Sequence, residues 1–152
     1  MTQTFKRNRL SALVLLMAAQ AAVSGVAFAA GKQTISAEGG APLQEAQKAL
    51  QSKNYKEASA KISAAEAAGK GKLTSYESFV IEQLKSSAAL GQGDYKSALA
   101  AYDQILASPE LPEGEKVQRL DAYVKIAYTA KDYAKTAEAI QKYKAAGGTS
   151  PD

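Results

Sequence analysis

The chain has 152 residues, 46% of them hydrophobic and 22% charged, with Lys+Arg 19 against Asp+Glu 15 for a formal net charge of +4 and no His, Cys or Trp. That length bounds it to a single domain of ordinary size. The missing side chains exclude His- and Cys-based catalytic triads, thiol redox chemistry, disulfides and zinc sites of the usual kind.

The amino end reads as an address. Lys6, Arg7 and Arg9 form a basic stretch, and no acid precedes Glu38. An apolar run from Leu10 to Val26 follows and ends in Ala27-Phe28-Ala29, with small residues where a signal peptidase reads. A basic region, an apolar region and an A-x-A site together predict a cleavable signal peptide over residues 1–29. The apolar run is short for a membrane span and carries Gln20, Ser24 and Gly25, so no stable membrane insertion is expected after cleavage. No cysteine follows it to carry a lipid, and Arg7-Asn8-Arg9 is not a twin arginine, so a periplasmic destination is expected, with secretion as the alternative. Without residues 1–29 the balance falls to 16 basic against 15 acidic side chains, interspersed rather than clustered. The mature chain is therefore nearly neutral, with no basic block suited to nucleic acid.

Residues 30–41 are polar and glycine-rich, and read as a flexible leader. From Pro42 on, Ala, Lys, Glu, Gln and Leu dominate with no alternating β-branched run, which predicts helix almost throughout. Six helices are expected, near 42–52, 55–68, 74–90, 95–107, 113–130 and 133–146. The breaks fall at Gly69-Lys70-Gly71, Gly91-Gln92-Gly93, Ser108-Pro109 with Pro112, and Gly147-Gly148. Thr74 and Glu77 have capping-box spacing. Residues 147–152 read as a flexible tail.

Three helices open alike, because Asn54-Tyr55, Asp94-Tyr95 and Asp132-Tyr133 each put an N-cap residue before a tyrosine. Three, seven and ten positions on from each tyrosine stand Ala58, Ile62 and Ala65, then Ala98, Tyr102 and Ile105, then Thr136, Ile140 and Tyr143, all at the spacing of one helical face. The tyrosines lie 40 and 38 residues apart, a period that signals stacked helical hairpins. Gly93-Asp94-Tyr95-Lys96-Ser97-Ala98-Leu99 with Tyr102, and Lys131-Asp132-Tyr133-Ala134-Lys135-Thr136-Ala137 with Ile140, resemble the second helix of tetratricopeptide (TPR) repeats. Leu120, Tyr123, Val124 and Ala127 match that family's packing positions in a first helix. The period here exceeds the family's about 34 residues, and Thr136 stands where the family has alanine. The resemblance implies an all-α fold, a short α-solenoid of about three antiparallel hairpins over residues 42–146. Tyr55, Ala58, Ile62, Tyr95, Ala98, Tyr102, Leu120, Tyr123, Val124, Tyr133 and Ile140 would then be its packing residues.

Chemistry is scarce. Gly69-Lys70-Gly71-Lys72-Leu73-Thr74 has leucine where a phosphate loop needs a hydroxyl residue directly after lysine, and it joins two helices. No Ser-x-x-Lys pattern occurs. Carboxylates such as Glu77/Glu82 and Glu113/Glu115 are spread over helix faces, and no stretch has alternating oxygen ligands for calcium. No catalytic residue, cofactor or metal is expected. The resemblance implies a concave face lined by first helices that takes a protein or peptide partner. Its groove positions fall on Gln118, Asp121, Lys125 and Tyr128, and on Gln83 and Ser87 in the preceding repeat. The expected function is a non-enzymatic adaptor or scaffold of the bacterial envelope. Its alternatives are a self-associating structural or stress-related protein and a carboxylate- or Lys-based enzyme. Because a repeat stack needs its ends covered, the last helix is expected either to be polar enough to face water or, by preference, to have its Ala145/Ala146 side covered by another subunit or a partner.

Overall fold

The computed structural model describes residues 35–69 and 71–149, so the expected signal peptide and the start of the leader lie outside the described residues. The described residues form α1 (Ala37–Gln51), α2 (Tyr55–Ala68), α3 (Ser75–Gln92), α4 (Tyr95–Ala107), α5 (Lys116–Thr129) and α6 (Tyr133–Ala145), with a 3-10 turn at Glu113–Glu115 and no strand among them. The all-helical class expected from composition is the class found. Each helix packs on the next in chain order, and α1 also touches α3.

Besides α3, which runs on through Gly91 to Gln92, two boundaries differ from expectation. The fifth helix starts at Lys116, after the 3-10 turn, and α1 starts at Ala37, which places Pro42 in its second turn. Residues 37–41, expected in the leader, are therefore helical. The cause is a contact distant in sequence. Ser36 caps α1 by accepting from the Gly39 N–H at 3.2 Å, and its own N–H donates to Glu77 Oε1 at 2.7 Å. Glu77 Oε2 accepts from the Thr74 N–H at 2.8 Å while Thr74 Oγ1 accepts from the Glu77 N–H at 3.1 Å, which forms the expected capping box. One buried carboxylate thus holds the starts of two helices.

The three hairpin junctions share one geometry. Lys53, Gly93 and Lys131 are left-handed, with φ of 57°, 72° and 58°. The N–H groups of Asn54, Asp94 and Asp132 reach back to the carbonyls of Ala49, Ala89 and Ala127, the signature of a Schellman turn. Gly147, with φ 90°, and the Gly148 N–H bonded to the Tyr143 carbonyl repeat the turn after α6, so the start of the expected tail is ordered by hydrogen bonds. Asp94 and Asp132 cap the next helices by accepting from the Ser97 and Lys135 N–H groups, whereas Asn54 donates to Glu57 instead.

Two apolar clusters fill the interior. The first joins Leu43, Ala46 and Ala49 of α1 with Ala58, Ile62 and Ala65 of α2 and Ile81, Leu84 and Ala88 of α3. The second joins Ala89 of α3 with Ala98, Leu99 and Tyr102 of α4, Tyr123, Ile126 and Ala127 of α5 and Ala139 of α6. The consecutive residues Ala88 and Ala89 face different clusters, so α3 is the wall between them. Of the expected packing residues, Ala58, Ile62, Ala98, Tyr102, Leu120 and Tyr123 are buried, while Tyr55, Tyr95, Val124 and Ile140 are half-buried. Tyr133 departs from the expectation and is 63% exposed. Its counterpart Tyr55 seats on Gly91 of the following hairpin, where a Cβ would fall 2.2 Å from the ring. Among the described residues no helix follows α6 to receive Tyr133.

Candidate functional site

α3 and α5 are the first helices of their hairpins, and one side-chain bridge ties them together. Arg119 of α5 donates from Nη2 to Gln83 Oε1 of α3 at 3.3 Å and to Glu115 Oε2 at 2.9 Å, with Nε 3.3 Å from the same carboxylate oxygen. Gln83 is half-buried, and its backbone carbonyl accepts from the hydroxyls of Ser86 and Ser87 at 2.8 and 3.0 Å. The Glu115 carboxylate, one turn before Arg119, holds the guanidinium in place by two charged hydrogen bonds.

The expected groove residues divide around α5. Gln118 and Lys125 are exposed, and Lys125 Nζ pairs with Asp121 Oδ2 at 2.6 Å. At 3.6 residues per turn, Tyr128 lies about half a turn around the helix from Arg119, and Asp121 nearly so. Tyr128 is 66% exposed and meets Tyr133 of α6, with ring centroids 6.3 Å apart and planes at 65°. The seam with α3 therefore holds Arg119, Glu115 and Gln83, with Ser87 one turn along α3, while Gln118 and Lys125 lie about 100–120° round α5 from Arg119 and Tyr128 meets α6. Arg119 escaped the sequence reading, and Glu115 entered it only as a scattered surface carboxylate. Their i, i+4 spacing was the available signal, and it is common on any helix surface.

No family model, curated protein or solved structure matches the chain. The chemistry of the site thus rests on its own groups.

A second polar cluster lies between α4, α5 and α6. The Tyr123 hydroxyl donates to Asp103 Oδ1 at 2.8 Å, and Lys135 Nζ stands 3.4 Å from that hydroxyl and 3.5 Å from Asp103 Oδ2. Burial, with the Asp103 charge beside it, holds the Tyr123 phenol above its ordinary pKa. The hydrogen bond to Tyr123 and the Asp103 charge do the same for the Lys135 ammonium. Both groups hold their protons at neutral pH, so the cluster ties three helices together and presents neither a phenolate nor a free amine. In the groove between α2 and α4, Lys85 bridges Glu66 and Glu82 at 2.6 and 2.9 Å. Burial alone would lower its pKa, but the two carboxylates outweigh burial and hold it raised.

Open depressions lie among the helices. One of about 540 Å³ is lined by Ser59, Glu82, Lys85, Gln92 and residues of α4. One of about 650 Å³ lies between the starts of α4 and α6, and one of about 440 Å³ between their ends. All three are shallow and open to solvent, unlike the enclosed clefts that bury most of a small ligand. Among the described residues there is no cluster of three or more His, Cys, Asp or Glu side chains able to hold a metal ion. No helix among them is long and apolar enough to cross a membrane.

Proposed function

We infer that the protein is a non-enzymatic adaptor of the bacterial envelope, exported by its amino-terminal signal, whose three hairpins form a short TPR-like stack. Its partner is a protein segment held along the seam between the first helices. The observation that carries this reading is the Arg119–Gln83 bridge, which sets α5 beside α3. It leaves Ser87 exposed one turn along α3 from Gln83, and Gln118 and Lys125 exposed on the neighbouring face of α5 as hydrogen-bonding groups. The thrice-repeated Schellman junction followed by tyrosine supports a repeat architecture, because identical turns give successive hairpins the same geometry. An extended or helical peptide with acidic and amide groups suits a seam that offers guanidinium, ammonium and hydroxyl donors.

A photo-crosslinking side chain placed at Gln118 in cells tests this. It should capture a discrete partner that the same probe at Ala60, on the exposed surface of α2, does not. Arg119→Ala with Lys125→Ala should cut that capture by about tenfold or more, as loss of two charged contacts implies. Tyr128→Ala, on the other side of α5, should leave it unchanged. Equal capture by the double variant, with helicity intact, overturns the assignment.

A further inference from the structure

The second helices α4 and α6 both pack on α5 and leave a groove between them. The depression between their starts and the one between their ends share Asp103 in their linings, so the two form one continuous groove with parallel walls. At 3.6 residues per turn, Tyr95, Leu99, Asp103 and Leu106 fall on one stripe of α4, and Lys135, Lys142 and Ala146 on one stripe of α6. From Tyr95 to Leu106 the wall is about 16 Å long. Two apolar basins lie along it, one with Tyr95, Leu99 and Ala130 and the other with Leu106, Leu120 and Ala146. Between them Lys135 Nζ of α6 and Asp103 Oδ2 of α4 span the groove at 3.5 Å, beside the Tyr123 hydroxyl. The corresponding depression on the α2 side of α4 is lined mainly by polar groups, and Gln92 and Lys85 bridge across to Ser59 and Glu66 of α2. Charge is uneven along the α4–α6 groove. Lys116 and Lys142 border its far basin, and Lys116 forms no ion pair with any described residue. Asp94 and Asp132 stand at the other end.

We propose that this groove docks an amphipathic helix of a partner protein, one with two apolar anchors seven residues apart and carboxylates in its first turn. Leu99 and Leu106 stand seven residues apart on the wall, and a helix laid along it presents one anchor to each basin at that spacing. An open trough about three turns long suits a chain segment better than a small molecule, which needs enclosure. The charges set the direction. A helix running antiparallel to α4 and α6 brings its amino end to Lys116 and Lys142, where first-turn carboxylates meet both ammonium groups and also favour the helix's own dipole. Its carboxyl end, which favours basic side chains, then lies towards Asp94 and Asp132. This groove is built by the second helices and does not rest on the α3–α5 seam.

The probe is a synthetic helical peptide bearing two leucines seven residues apart and two glutamates in its first turn, titrated into the isotope-labelled protein by NMR. Binding should be saturable in the micromolar-to-millimolar range and should shift the amides around Leu99, Leu106, Ala130 and Ala146. Lys116→Glu with Lys142→Glu, both at exposed positions, should weaken it by about tenfold or more, as should lysines in place of the peptide's glutamates. Lys144→Glu makes the same charge change on the far side of α6 and should leave binding unaltered. Circular dichroism of each variant separates lost binding from lost fold, and the peptide substitutions need no change to the protein at all. Absence of saturable binding up to millimolar peptide, shifts confined to other faces, or an equal loss with Lys144→Glu overturns the proposal. So does decanoate shifting the groove while the peptide does not, which assigns it to a small amphiphile. A mass of two chains in sedimentation equilibrium that the peptide cannot displace assigns the groove to a second copy and overturns it equally.

Discussion

Lys53 and Lys131 occupy backbone conformations that the equivalent positions Gly93 and Gly147 fill with glycine. A left-handed φ crowds Cβ against the following carbonyl and costs an L-residue about 1 kcal/mol, whereas glycine adopts it without that clash. The turn persists at both lysines because the junction hydrogen bonds to Leu50 and Tyr128 and the following helix over-determine it. Lys131→Gly should therefore raise stability by about 0.5–1 kcal/mol, measured as a higher urea midpoint at unchanged slope. A lower midpoint would mean that the lysine side chain supplies something that the conformation does not reveal. The turns themselves were legible only where glycine or an N-cap residue marked them. A lysine in a left-handed turn leaves no signature in composition, and the period of the tyrosines was what located its place.

At the scale of the element, α1 depends on a residue 41 positions away in sequence. Its first turns contain Gly39, Gly40 and Pro42, a poor start for an isolated helix, and for that reason the sequence placed its beginning at Pro42. The Glu77 carboxylate supplies what propensity lacks. Burial would raise its pKa, yet the N–H and hydroxyl groups of Ser36 and Thr74 outweigh burial and hold it below its ordinary value of 4.5. A carboxyl group depressed in the folded state contributes stability that is fully present above pH 4.5 and lost as pH falls through the lower folded value. The urea midpoint should therefore fall with acid in that window. Glu77→Gln should flatten the fall and cost about 1–3 kcal/mol at neutral pH, as expected when charged hydrogen bonds at a buried site are weakened. An unaltered pH profile in the variant would show that another carboxylate governs acid lability. Elements whose signals are local, such as the Thr74–Glu77 box or the apolar stripes of α2 and α4, were readable in the sequence. Tertiary reach from one helix start to another was not.

Across the whole molecule, the helix count, the hairpin pairing and the buried positions Ala58, Ile62, Ala98 and Tyr102 follow from periodicity, because burial and 3.6-residue spacing are tied by geometry. The candidate site was only half readable. Gln83 stands at the α3–α5 seam, but its organising residue Arg119 became visible only once α5 was set beside α3. Tyr133 shows the reverse. Its spacing suggested a core position, yet its ring projects into solvent beside Tyr128.

The placement of Ala88 and Ala89 in separate clusters makes α3 a shared wall, and that divides the molecule's resistance to opening. Loss of α1–α2 strips one flank of this helix while the other stays packed, and loss of α5–α6 does the reverse. In native-state hydrogen exchange, the amides of α3 around Leu84–Ala89 should therefore be the slowest, released only with global unfolding, while α6 exchanges through a cheaper partial opening. A uniform protection across all six helices would mean that the two clusters melt as one cooperative unit.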